Sequence, residues 1–188
     1  QQLNIQHRTS DPCDACAGQS IRSTPNTRPK GFTLIEILVV ITIIGILMGL
    51  LFPAIKGAIT KGKCAKAQSE VKSIENAVRA YYTEYGVYPG TSGSDANYGL
   101  SSTANGSLIS ILMSNNTKKV VFLEVPSKSL VGGNFVDPWN NQYEITIDGN
   151  YDGNCVGGTY TVNNKPVIVW SWGPDKTKGN KDDILSWQ

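Results

Sequence analysis

One acidic side chain lies inside the most apolar stretch of the chain. Residues 32–52 carry Glu36 as their single ionisable side chain, and an apolar helix of about 20 residues is long enough to cross a hydrocarbon core of ~30 Å. A carboxylate inside such a segment is costly in lipid unless a cation neutralises it, so it indicates a functional residue with a partner. The segment itself provides no cation. Cleavage between Gly31 and Phe32 would create an amino group close to Glu36, and the same amine on a neighbouring copy could pair with the carboxylate.

The sequence Gly-Phe-Thr-Leu-Ile-Glu at 31–36 follows a basic, polar leader and opens the apolar run. It resembles the processing site of type IV pilins and of the related type II secretion pseudopilins. The resemblance implies that a prepilin peptidase on the cytoplasmic side cleaves after Gly31 and N-methylates Phe32. It also implies that Glu36 is the carboxylate used in assembly. An ordinary single-pass anchor with a stray acid is the alternative, but a chance match must place three residue types correctly against the apolar run.

Length and charge fit one globular domain and do not favour nucleic-acid binding. The part beyond the apolar run, residues 53–188, suits a single domain. The chain has 17 basic and 15 acidic residues, and removal of residues 1–31 leaves equal numbers of each. A nucleic-acid-binding face needs a basic surplus, so no nucleic-acid partner is expected.

The four cysteines divide between the leader and the rest of the chain. The leader, residues 1–31, is rich in Ser, Thr, Pro, Asn and Gln and is predicted to be disordered. Cys13 and Cys16 form a CxxC there, but a metal or redox site needs a second ligand pair or a surrounding fold. Cys64 and Cys155 can form a disulfide only if their Cα atoms come within about 7 Å. We expect free thiols.

The sequence predicts that the apolar helix continues past the membrane. Gly45 and Gly49 form a GxxxG pattern, which allows close helix packing but is also common in membrane helices. Pro53 removes one helical hydrogen bond and predicts a bend rather than a stop, since the resembled family tolerates proline there. Gly86 predicts the helix end. Apolar residues at three- and four-residue steps predict one face packed on a domain, with charged residues elsewhere: Ala67, Val71, Ile74, Val78, Tyr81 and Tyr85 on that face, against Lys66, Glu70, Lys72, Glu75 and Glu84.

Short elements are predicted after the helix. Residues 90–106 are predicted to be a loop and 107–114 a short helix, whereas 120–125 fits either a strand or an extended linker. The apolar side of the short helix comprises Leu108, Ile111 and Leu112. Three strands are predicted between turn-forming residues: 143–147, 159–162 and 167–172.

The predicted fold class is α+β: a long N-terminal α-helix, membrane-spanning in its first half, packed on a small antiparallel β-sheet in the C-terminal domain. Residues 1–31 are predicted to be a leader that is removed. Residues 32–52 form the transmembrane and assembly half of the helix. Residues 53–188 form a periplasmic, pilin-like globular domain that includes the amphipathic second half of the helix.

A second segment resembles the same family. Residues 137–143, Asp-Pro-Trp-Asn-Asn-Gln-Tyr, resemble the Asp-Pro-Trp-Gly-Asn-Pro-Tyr segment of major pseudopilins, with Asn140 in place of the glycine and Gln142 in place of the proline. The expected role is structural: a proline-fixed turn that buries Trp139 and Tyr143 against the helix.

Two acidic stretches suggest cation binding. Residues 171–175 and 182–184 resemble the C-terminal calcium loop of the same proteins. Calcium takes about six to eight oxygen ligands, and the resemblance implies that the side-chain ligands are Asp175, Asp182 and Asp183. Lysines in the same loop oppose a cation, so a solvated acidic loop is the alternative.

The second acidic stretch, residues 148–153, reads Asp-Gly-Asn-Tyr-Asp-Gly and matches the first half of an EF-hand loop. The position of the closing glutamate holds Thr159, and flanking helices are not evident. A hairpin turn is therefore the preferred interpretation.

The leading functional hypothesis is a structural pseudopilin subunit, not an enzyme. The resemblance implies self-assembly into a periplasmic filament for protein export, with a platform protein and an assembly ATPase as partners and inner-membrane lipid around the helix before assembly. A type IV pilus subunit for adhesion, motility or DNA uptake is the alternative. Cys155 is the only cysteine in the C-terminal half, so the disulfide that often closes the adhesive pilin loop cannot form there. This favours the secretion branch.

Two further points concern class and topology. An anchored periplasmic enzyme is disfavoured because the part after residue 31 has no histidine, no nucleophile–base arrangement and no phosphate loop.

The resemblance implies a single-pass inner-membrane protein with a cytoplasmic leader and a periplasmic C-terminal domain. The positive-inside rule is ambiguous because lysines also follow the apolar run: Lys56, Lys61, Lys63 and Lys66.

Overall fold

The structure is a computed structural model and describes residues 31–99 and 102–188. The predicted disorder of the leader and the pair Cys13 and Cys16 lie outside the described residues. The described residues divide into two units, one that ends at Gly45 and one that spans Ile46–Gln188.

One long helix, α1, spans Leu34–Tyr85. It passes position 53, so the proline does not end it, as predicted. The helix ends where predicted: Gly86 has φ +74°, and its N–H donates to the Tyr82 carbonyl at 2.7 Å. Glycine suits this left-handed position because it has no Cβ. Among the described residues, one helix is long and apolar enough to cross a membrane. This helix is α1, and its most apolar window has a mean hydropathy of 2.8.

The remaining elements are short. A four-stranded antiparallel sheet has the order β1-β4-β7-β8, and two separate hairpins pair β2 with β3 and β5 with β6. In chain order the elements after α1 are β1 Ala96–Tyr98, α2 Gly106–Met113, a 3-10 turn Ser127–Ser129, β2 Leu130–Val131, β3 Asn134–Phe135, β4 Glu144–Ile147, β5 Asn154–Val156, β6 Thr161–Asn163, β7 Val167–Ser171 and β8 Ile184–Leu185.

The predicted α+β architecture is confirmed. The central residues of the predicted helix face, Ala67, Val71, Ile74 and Val78, are fully buried. They form the main core with alternate residues of the central strands, among them Ile145 and Val167. Successive side chains of a strand point to opposite faces of a sheet, so the other face of this sheet can bury a second core under the β5–β6 hairpin. This second core comprises Cys155, Ile168, Trp170 and Leu185.

Several local predictions are wrong. Strand β1 lies within the segment predicted as a loop. Residues 120–125 form no strand, in agreement with the predicted linker alternative, and the N–H groups of Phe122 and Leu123 donate to the Leu112 carbonyl. The buried side of α2 includes Ile109 instead of Ile111. Glu75, predicted to be polar surface, is buried and pairs with Arg79 at 2.9 Å. The predicted free thiols are confirmed at both Cys64 and Cys155.

Candidate functional site

The start of α1 is closed by a capping box that involves the predicted assembly carboxylate. The N–H of Glu36 donates to Thr33 Oγ1 at 3.2 Å. In return, the N–H and the hydroxyl of Thr33 each donate to Glu36 Oε2 at 2.7 Å. This reciprocal arrangement satisfies donors that a helix start otherwise leaves free. It also explains why α1 begins at Leu34, two residues after the predicted start.

The capping box places the carboxylate beside the predicted cleavage point. Phe32 is 83% exposed, and apart from the adjacent residues no described part of the chain lies within 4 Å of where a Cβ on Gly31 would stand. Within the described residues Glu36 forms no ion pair. Its carboxylate lies at the N-terminus of α1, where the macrodipole favours an anion. The same carboxylate is accessible to an external cation. Sequence analysis missed the capping role of Thr33, although the pattern Thr-x-x-Glu signals it.

The Asp-Pro-Trp turn is tied together by one buried carboxylate. Asp137 is 4% exposed. Its Oδ1 accepts the N–H groups of Trp139 and Asn141, both at 2.9 Å, and its Oδ2 accepts the Ser171 hydroxyl at 2.6 Å. The turn is thereby joined to the end of β7. Asn140 has φ +73°, which explains why the resembled segment has glycine at this position.

The aromatic residues of this turn dock on α1, as predicted. Tyr143 is fully buried, and its hydroxyl donates to Glu70 Oε2 at 2.6 Å. Burial, followed by the hydrogen bond to Glu70, raises the pKa of Tyr143, so the hydroxyl stays protonated as the donor. Trp139 is partly buried against the same core. The turn therefore joins the sheet to the helix.

The three predicted calcium ligands lie between β7 and β8 in different surroundings. Asp175 is exposed; its Oδ1 accepts the N–H of Thr177 at 2.9 Å and its Oδ2 the amide of Asn180 at 2.7 Å. Asp182 is also exposed, and its N–H donates to Asn180 Oδ1 at 2.8 Å. Asn180 thus links two of the predicted ligands, a contact that sequence analysis did not foresee.

Asp183 is the buried member of this loop, at 8% exposure. Its Oδ2 accepts the N–H of Gly179 at 2.8 Å and the hydroxyl of Tyr160 at 2.6 Å. Burial and the neighbouring Asp183 raise the pKa of Tyr160. The other oxygen, Oδ1, is buried and has no hydrogen-bond partner in the part of the chain that the structure describes.

Backbone contacts close the same loop. Gly173 has φ +70°, and a Cβ there would lie 2.1 Å from the Asp182 carbonyl oxygen, so only glycine fits. Over residues 31–99 and 102–188, no three His, Cys, Asp or Glu side chains come together as a metal-binding group. A cation here would therefore rely on main-chain carbonyls as well as carboxylates, and both are oxygen donors of the kind that calcium prefers.

The helix start and the fold together define a class of protein. An exposed apolar helix carries a processing motif and a carboxylate at its start, and its continuation packs on a small antiparallel sheet. This combination is that of a pilin-like subunit. Residues 26–52 match the family model described as the prokaryotic N-terminal methylation motif.

Comparison with known proteins gives the particular family. The chain is 32% identical over 160 residues to the type II secretion system core protein G of Escherichia coli (strain K12), covering 85% of this chain and 92% of the relative. It is 29% identical over 164 residues to the same protein of Aeromonas hydrophila, covering 85% and 93%. The chain belongs to the type II secretion system core protein G family.

A pilus protein is also similar, over a shorter stretch. Fimbrial protein EcpC of Eikenella corrodens is 31% identical over 106 residues, which cover 55% of this chain and 67% of that protein. No solved structure matches the chain significantly.

Proposed function

We propose that this chain is the structural subunit of a type II secretion system, which polymerises from the inner membrane into a periplasmic pseudopilus for protein export. The observation that carries the proposal is the exposed apolar helix start, with Glu36 next to the Gly31–Phe32 bond, in a chain that matches core protein G along most of its length. Its role is structural rather than catalytic.

The proposed assembly step follows from the capping box. Cleavage after Gly31 and N-methylation of Phe32 by the prepilin peptidase leave a cationic amine at the new first residue. The Phe32 amine of one subunit then neutralises Glu36 of its neighbour, which removes the cost of an unpaired carboxylate among apolar helices. Apolar side chains of α1 that are exposed in the single chain become buried in the bundle, among them Ile41, Ile46 and Leu50.

The partners and the topology follow from the same proposal. The peptidase, a platform protein and an assembly ATPase act from the inner membrane, and lipid surrounds residues 32–52 before assembly. The leader is cytoplasmic, and residues 53–188 form the periplasmic domain. Gly45 and Gly49 leave room for a neighbouring subunit's helix to approach, since apart from nearby residues of α1 no described part of the chain lies within 4 Å of a Cβ at either position.

A surface pilus subunit is the second candidate, favoured by the similarity to the fimbrial protein. Deletion of the gene in its host and complementation separates the two. We expect deletion to abolish release of the exported proteins into the medium and complementation to restore it. Unchanged export, together with loss of long surface fibres at native expression, would favour the pilus subunit and contradict the proposal.

We propose that the C-terminal loop binds calcium through Asp175, Asp182 and Asp183. The buried, unpartnered Oδ1 of Asp183 and the loop closure at Gly173 support this site. A bound cation would supply positive charge to the carboxylates of this loop and hold β8 against β7.

Calcium removal is expected to destabilise the domain. At calcium concentrations about 100-fold above the dissociation constant, binding contributes about 2.7 kcal/mol, or roughly 5–10 °C in melting temperature. Differential scanning fluorimetry of the processed protein in detergent, with calcium and with chelator, measures the shift. In the double variant Asp175→Asn, Asp182→Asn, the difference in melting temperature between calcium and chelator should fall by at least half. Equal melting of the unmodified protein in both conditions would exclude the site.

A further inference from the structure

The loop of residues 148–153 is not the hairpin turn that its sequence suggests. It leaves β4, which pairs with β1 and β7, and leads into β5, which pairs with β6. The loop therefore passes from the four-stranded sheet to a separate hairpin. Its residues are not needed to pair the strands on either side of it.

The hydrogen bonds of this loop resemble those of the first half of a calcium loop. Asp148 Oδ2 accepts the N–H of Gly153 at 2.8 Å. The Asp152 N–H donates to Asn150 Oδ1 at 2.9 Å, and the Asn154 N–H donates to Asp152 Oδ1 at 2.8 Å. Gly153 has φ +85°, at the position where an EF-hand loop needs glycine for its sharp turn. Polar side chains at alternate positions thus line one turn.

A fourth acidic residue reaches the loop from a distant part of the chain. The register of β1 on β4 pairs Ala96 with Ile147, so the preceding residue, Asp95, stands opposite Asp148. Asp95 Oδ2 accepts the N–H of Val156 at 2.9 Å, just beyond the loop. It brings a carboxylate next to the loop, whose own sequence has Thr159 at the position of the closing glutamate.

Close backbone packing keeps the two segments together. A Cβ on Gly149 would lie 2.0 Å from the Ser94 carbonyl oxygen, so glycine lets the loop approach the chain beside Asp95. The segment that carries Asp95 is held against the loop by both backbone and side chain.

The Asp95 and Asp148 carboxylates, from residues opposite each other in the register of β1 on β4, each have an unsatisfied oxygen. Asp148 is 2% exposed, and the Oδ1 atoms of Asp148 and Asp95 are both buried without a hydrogen-bond partner among the described residues. In the same ranges, no ion pair involves either residue. Two buried like charges are costly unless a cation lies between them.

We propose that the carboxylates of Asp148 and Asp95, with the Asn150 amide, bind one calcium ion at a site separate from the C-terminal loop. The oxygen-only donor set and the compact turn suit calcium. Since no three carboxylates of the described residues form a group, main-chain carbonyls supply the remaining ligands. The ion joins β1 to the start of the β5–β6 hairpin. This site is independent of the secretion role.

Calcium titration of the processed full-length protein in detergent tests the site. The background variant Asp175→Asn, Asp182→Asn removes the exposed carboxylates of the C-terminal loop. Isothermal titration calorimetry with calcium chloride should still find one ion bound per chain. Adding Asp95→Asn, which keeps the acceptor for the Val156 N–H, should weaken binding at least about tenfold because one anionic ligand is lost.

The matched control is Glu124→Gln in the same background, an exposed acid elsewhere on the domain, and it should bind like the background. Circular dichroism in chelator checks folding. If Asp95→Asn fails to fold, Asn150→Ala, at an exposed ligand of the same site, should also weaken binding. Absence of binding in the background variant, or equal affinity in the Asp95→Asn or Asn150→Ala variant and the control, would overturn the proposal.

Discussion

Replacing Glu36 by glutamine should leave cleavage and N-methylation intact and reduce pseudopilus formation at least about tenfold. The amide keeps the length of the side chain and an oxygen that can accept the Thr33 N–H, so the helix cap survives. Only the charge that we propose to pair with the neighbouring Phe32 amine is lost. Electron microscopy and sedimentation of sheared filaments, with mass spectrometry of the membrane-bound subunit, measure assembly and processing separately.

A control variant at Thr33 separates the effect of the helix cap from the effect of the Glu36 charge. Thr33→Val removes the hydroxyl that bonds Glu36 but keeps the carboxylate. It should weaken the cap and still permit filaments. Normal filaments from Glu36→Gln, or identical loss in both variants, would show that the carboxylate does not act by pairing.

Truncating Asp137 should have the largest effect on the stability of the domain. Asp137→Ala leaves the N–H groups of Trp139 and Asn141 and the Ser171 hydroxyl without their acceptor. Each unsatisfied buried group costs about 1–3 kcal/mol, so we expect a loss of about 4 kcal/mol in the free energy of unfolding. Urea unfolding of the processed protein in detergent, followed by tryptophan fluorescence, measures it.

The neighbouring position supplies the control. Asn140 already adopts φ +73°, so Asn140→Gly should change the free energy of unfolding by less than about 1 kcal/mol. A loss of under about 1 kcal/mol for Asp137→Ala would mean that other groups hold the turn to β7.

Local patterns allowed much of the helix to be predicted. The step of three and four residues through Ala67, Val71 and Ile74 is a property of α1 alone, and each residue is buried as expected. The end at Gly86 is equally local, because one glycine supplies the left-handed conformation. The Thr33–Glu36 capping box was also readable and was overlooked.

The missed features depend on distant partners. Strands β1 and β8 have three and two residues, too few to show alternation, and they exist because β4 and β7 offer open edges. Sequence alone could not show that Asp183 would bond Tyr160 across the loop. Nor could it place Asp95 opposite Asp148, since that contact needs the register of β1 on β4.

We propose that Glu36 pairs with an amine released at Phe32 of a neighbouring subunit. Intact-mass and peptide mass spectrometry of the protein isolated from its host membrane test this directly. The account predicts a chain that begins at Phe32 and carries one added methyl group on its amine. A mature protein that retains residues before Phe32 would contradict the account.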